Sequence, residues 1–156
     1  MNTSQSFTID TKVNYMDFKL SGHLDPALTD PATRKLRTDK LIGRWLNTNP
    51  DTQGIVECVI EQEGELFKID VFGAGPDGPI HWPTCRTKPL ANLEEEAGQR
   101  AFALSATFEF EFMTAETYIR VNKGVLVIVL FASFRDGSKR SDYVNREFFY
   151  RVNRER

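Results

Sequence analysis

Glu147, His81 and Trp82 are the side chains in this sequence whose type and surroundings point most directly to chemistry. Residues 142–152 alternate as a strand does, so Tyr143, Asn145, Glu147, Phe149 and Arg151 share one parity and one face. A carboxyl on such a face, once taken out of water, is pushed toward its neutral form and becomes usable as a general acid or base. The alternative for Glu147 is a structural ion pair with Arg151 or Arg120. His81 belongs to the residue type that shuttles protons near neutral pH. It follows the Gly/Pro loop at 73–79 and precedes Trp82, whose indole suits stacking on a planar ligand. The alternative for this pair is an ordinary loop cap.

The same alternation puts Phe108, Phe110 and Phe112 on one face of a long strand as an aromatic wall, and Trp45 and Asn47 on one face of an earlier strand. Apolar walls with a few placed polar groups are the usual lining of small-molecule sites. Glu116, Tyr118, Arg120 and Asn122 also share a face, which is either polar lining or plain exterior. Turned inward, Arg120 suits a carboxylate-bearing ligand.

Several chemistries lack their residues. Gly73-Ala74-Gly75-Pro76-Asp77-Gly78 has dinucleotide-loop spacing, but Pro76 and Pro79 forbid the helix that would hold the pyrophosphate. There is no P-loop and no nucleophile elbow. His23 and His81 are too few and too separated for a zinc site. The sequence therefore predicts no metal and no cofactor.

The elements that must position these residues are mostly strands. Residues 1–40 read as an N-terminal arm, loosely alternating over Phe7–Leu20. A short helix follows, opened by Asp30-Pro31 as N-cap and first helical residue. From Leu41 on, strands are expected at 41–49, 55–62, 65–72, 80–90, 102–113, 116–122, 125–135 and 142–152. The turns between them are marked by Glu63-Gly64, Lys123-Gly124 and Asp136-Gly137. Pro83 and Pro89 restrict 80–90 to an edge or bulged strand. Such a series predicts an antiparallel sandwich or an up-and-down barrel. Val125–Phe134 is apolar on both parities, so its outer side needs a cover, either the arm or a second subunit; a homodimer is expected.

Composition limits the rest. The 156 residues carry 20 Lys+Arg against 22 Asp+Glu, a balance that leaves no basic footprint for nucleic acid. The longest apolar run, Val125–Ala132, falls far short of the ~20 residues of a membrane span. The first ten residues hold no basic or apolar signal segment. With Cys58 and Cys85 outside any paired spacing, a reducing cytoplasm is the expected compartment.

Gly43-Arg44-Trp45 opens the first strand directly after the short helix. This resembles the Gly-x-Trp signature of the calycin superfamily, which includes lipocalins and fatty-acid-binding proteins. The resemblance implies an eight-stranded antiparallel barrel over residues 41–156, with Trp45 plugging its floor and Arg151, from the last strand, lying across the indole. It would then turn Asn47, Tyr143 and Glu147 inward. The stretches 45–50 and 141–149 are also similar to small calycin-like barrels, some of which act as natural-product cyclases, such as the scytonemin-pathway cyclase. The function expected is a cofactor-free cyclase or isomerase acting on a hydrophobic, aromatic small molecule, with Glu147 and His81 moving protons. Trp45, Asn47, Trp82, Phe108, Phe110, Tyr118, Arg120, Tyr143 and Arg151 would line its site. The alternatives are a non-catalytic carrier or sensor of such a molecule, and an interaction module with a solidly packed interior.

Overall fold

The computed structural model describes residues 39–91 and 101–153. The chain divides into two units, Met1–Arg34 and Lys35–Arg156, and every described residue belongs to the second. The expected arm, His23 and nearly all of the expected helix lie outside the described residues; Asp39–Leu41 form a turn.

The described residues build one antiparallel sheet of ten strands, with no helix among them: β1 (Gly43–Asn47), β2 (Ile55–Glu63), β3 (Leu66–Gly73), β4 (Ile80–His81), β5 (Cys85–Thr87), β6 (Pro89–Ala91), β7 (Ala101–Glu109), β8 (Met113–Asn122), β9 (Val125–Phe134) and β10 (Tyr143–Arg151). Their order is β4-β3-β2-β1-β10-β9-β8-β7-β6, with β5 also on β3. The strand expected over 80–90 is broken into β4, β5 and β6. Pro89 takes the first position of its strand, where a missing amide donor is tolerated. Lys88 alone separates β5, which pairs with β3, from β6, which pairs with β7.

Alternation of side chains sorts the two faces. On β3, Phe67, Ile69 and Val71 are buried while Lys68, Asp70 and Phe72 are not. On β8 the buried set is Met113, Ala115, Thr117 and Ile119, and on β9 it is Leu126, Ile128, Leu130 and Ala132. The apolar residues of these sets join Trp45, Cys58, Ile60, Leu104, Phe108 and Phe149 in one core. Each large apolar side chain that is fully buried contributes about 1.5–3 kcal/mol. The outer side of β9 is the second apolar parity seen in the sequence: Val125, Val127 and Val129 are half-buried and Phe131 is exposed.

One boundary differs from expectation. The alternation Phe108-Phe110-Phe112 continues past the end of β7 at Glu109, but residues 110–112 turn the chain. The Phe110 amide donates to the Met113 carbonyl at 2.8 Å. The buried parity therefore changes from even on β7 to odd on β8, which puts Glu116, Tyr118 and Arg120 on the outer face.

Candidate functional site

The two ends of the sheet have opposite characters. At one end, Trp45 is buried opposite Arg151 in the β1–β10 pair. The Arg151 guanidinium carbon stands 4.7 Å from the ring centre. Its Nη2 donates to the Lys40 carbonyl at 2.6 Å, and the indole Nε1 donates to the Leu41 carbonyl at 3.1 Å. Gly43 has φ 151°, and a Cβ there would lie 3.3 Å from Arg151 Nε, so the glycine leaves the space in which the arginine lies. This end is a satisfied structural closure. Trp45 and Arg151 border a shallow cleft of about 360 Å3, away from the other expected site residues.

At the opposite end, Glu147 projects from β10 on the core side, across from Ile128. Its Oε1 accepts from Asn47 Nδ2 at 3.0 Å and from the Thr52 hydroxyl, and its Oε2 accepts the Ile55 amide at 2.9 Å. Asn47 also donates to the Ile55 carbonyl at 2.7 Å, and its side-chain oxygen accepts the Asn49 amide at 2.8 Å. A Cβ on Gly54 would come within 2.5 Å of Glu147 Oε2. Glu147 thus holds the loop between β1 and β2 against the start of β10. Among the described residues no arginine bonds to this carboxylate; its partners are Asn47, Thr52 and the Ile55 amide, not the Arg151 or Arg120 weighed from the sequence.

Asn47, Tyr143 and Glu147 line one cleft of about 570 Å3, together with Asn49, Thr52 and Gln53. Beside it runs an arc of aromatic rings. Trp82 meets Phe108 and Phe110 edge to face, with centroids 5.4 and 5.2 Å apart. Phe110 continues to Phe112 at 5.8 Å. The Arg140 guanidinium bridges Phe112 and Phe134, 5.5 and 4.2 Å from their centres. Phe134 then reaches Tyr143 at 6.2 Å. Arg140 is itself held by the Asp136 carboxylate, whose pKa is lowered to about 2, chiefly by hydrogen bonds from Ser138 and further by Arg140.

The structure does not bring all expected site residues here. His81 pairs with Phe72 on the outer face, whereas Glu147 points to the core side. Four strand steps separate them, roughly 19 Å along the sheet at ~4.8 Å per step. His81 instead contacts Asp70, its Nε2 2.9 Å from Oδ1. Burial pushes the Asp70 carboxyl up, but hydrogen bonds from Thr84, His81 and Lys68 outweigh it and hold the pKa below its ordinary value. Tyr118 and Arg120 are half-buried on the outer face of β8. Thr52, the Ile55 amide, Arg140 and Asp70 escaped the sequence reading. Thr52 lies in a turn-forming stretch with Asn49, Pro50 and Gly54, which signals a loop without saying what it folds against.

Among the described residues no group of three or more His, Cys, Asp and Glu could hold a metal ion, and no helix is long and apolar enough to cross a membrane. Compared with family models, curated proteins and solved structures, the chain matches none of them.

Proposed function

We propose that this chain binds a planar, hydrophobic small molecule at the end of the sheet opposite Trp45 and Arg151. The observation that carries this reading is the aromatic arc from Phe108 through Trp82, Phe110, Phe112 and Phe134 to Tyr143, beside the cleft anchored by Glu147. The rings offer stacking surface, and the amides of Asn49 and Gln53 offer orienting hydrogen bonds. The pairing of β5 with β3 and of β6 with β7, across Lys88 alone, supports a calycin-like barrel in which this end is the mouth. The Trp45–Arg151 stack supports the same resemblance. The unpaired thiols of Cys58 and Cys85 fit a cytoplasmic carrier or sensor. Glu147 serves it as a positioning residue, since its oxygens already accept three hydrogen bonds from the loop it holds.

A cofactor-free cyclase or isomerase is the second reading, favoured by the His81–Asp70 contact. A carboxylate that orients an imidazole is a general acid–base arrangement. Ligand recovered unchanged after binding speaks for the carrier; conversion that is lost in His81→Ala speaks for the enzyme.

The test is titration with anilinonaphthalene sulfonate, an aromatic probe with a planar naphthalene ring and a charged sulfonate, followed by its fluorescence. Trp82→Ala should weaken binding about three- to tenfold, the equivalent of one aromatic contact. Equal affinity in the wild type and in Trp82→Ala would overturn the assignment.

A further inference from the structure

The outer face of β8, β9 and β10 carries a second surface, independent of the cleft's occupant. The registers set it out in rows: Glu116–Phe131–Val144, then Tyr118–Val129–Arg146, then Arg120–Val127–Phe148. Leu46 and Tyr150, paired across β1 and β10, extend it. Phe131 is 50% exposed, Val144 63%, Phe148 42% and Tyr150 50%. Across four strands ~4.8 Å apart and about seven residues of ~3.4 Å each, the face projects to roughly 450 Å2. That is about half of the ~800 Å2 per partner of a standard interface, so the residues flanking the face would have to supply the rim.

We infer that this face packs against the same face of a second copy of the chain, about a two-fold axis running along β9. Because β8 and β10 flank β9, that axis lays β8 of each copy over β10 of the other, about 10 Å away. Tyr118 then meets the row position of the partner's Arg146, one row from the partner's Val144, and Glu116 comes within reach of the same guanidinium. Among the described residues neither Glu116 nor Arg146 has an ion-pair partner. Arg146 lies 5.4 Å over its own Phe148 ring, on the face. The symmetry supplies each with its opposite charge twice over. Arg146 and Phe148 also border the cleft, so the second copy would wall one side of it.

Sedimentation at equilibrium tests this on the full chain. The wild type should be dimeric. Glu116→Arg and Arg146→Glu should each weaken association about tenfold or more by setting like charges together, and the double reversal should restore it. Near-ultraviolet circular dichroism checks that each variant is folded. If a reversal variant misfolds, Val129→Cys in a Cys85→Ser background takes its place, since the axis sets Val129 against its own copy. A bifunctional thiol reagent spanning about 5 Å should then link the two copies, since sheets ~10 Å apart lie too far for a direct disulfide, while Val144→Cys, off the axis, should yield none. A monomeric wild type would overturn the inference and leave the face to another partner. A double reversal no better than the singles, or no crosslink at position 129, would overturn it equally.

Discussion

Arg151 and Trp45 stand directly opposite each other in the β1–β10 pair, with the guanidinium carbon 4.7 Å from the indole centre. The contact is half of a closure, because the same arginine ties down the Lys40 carbonyl. Arg151→Ala should cost about 1–3 kcal/mol, from the lost stack, the lost hydrogen bonds and the lost cover of the ring. A double-mutant cycle with Trp45→Phe in urea unfolding should return a coupling of about 0.5–2 kcal/mol. Additive costs would mean that the two side chains do not act together.

Glu147→Gln should loosen the loop between β1 and β2. A glutamine can present only one oxygen, so its NH2 group would face either the Ile55 amide or the donors from Asn47 and Thr52. Leaving such a donor unmet costs about 1–3 kcal/mol. Gly54→Ala should act through the same carboxylate, since the added methyl would occupy its place. Hydrogen exchange at the Ile55 amide should quicken in both variants, and their combined cost should fall short of the sum.

Stability should also carry the signature of Asp70. Its folded pKa lies below the ordinary value of 3.8 that the unfolded chain keeps. The group therefore stabilises the fold at pH above that value, and this contribution is lost as pH falls through the lower, folded pKa. Acid unfolding followed by circular dichroism should show a smaller loss below about pH 4 in Asp70→Asn than in the wild type. Equal slopes would contradict the hydrogen-bonded carboxylate.

The two thiols should differ in reactivity. Burial, aided by Asp70 and Glu57, pushes the Cys58 thiol far up, so it stays protonated and inert in the folded chain. Cys85 is half-buried. A thiol reagent should label Cys85 alone under native conditions and both residues in denaturant. Native labelling of Cys58 would show that the core opens there.

Much of the architecture is legible from period-two patterning. The eight expected strand segments each correspond to strands of the sheet, and the break of 80–90 follows from Pro83 and Pro89. The Arg151–Trp45 contact follows from a motif and antiparallel pairing. Three features were not legible. The turn at 110–112 has no glycine or proline and keeps the aromatic alternation running, so the sequence reads as one strand and the facing of Tyr118 and Arg120 stays open. His81 and Glu147 look like partners because both can move protons, yet facing is set by register. His81 pairs with Phe72, and only the pairing of β3 with β4 puts it on the outer face. The Glu147 network was equally hidden, because its donors come from a loop whose path no alternation describes.

The most direct test of the binding site is an amide chemical-shift map of the protein titrated with anilinonaphthalene sulfonate. Shifts should concentrate in residues 48–54, 82–84, 110–112 and 134–143, the segments around the aromatic arc and the Glu147 cleft. Shifts confined to Leu46, Val127, Val129 and Tyr150 on the outer face, with those loops silent, would contradict it.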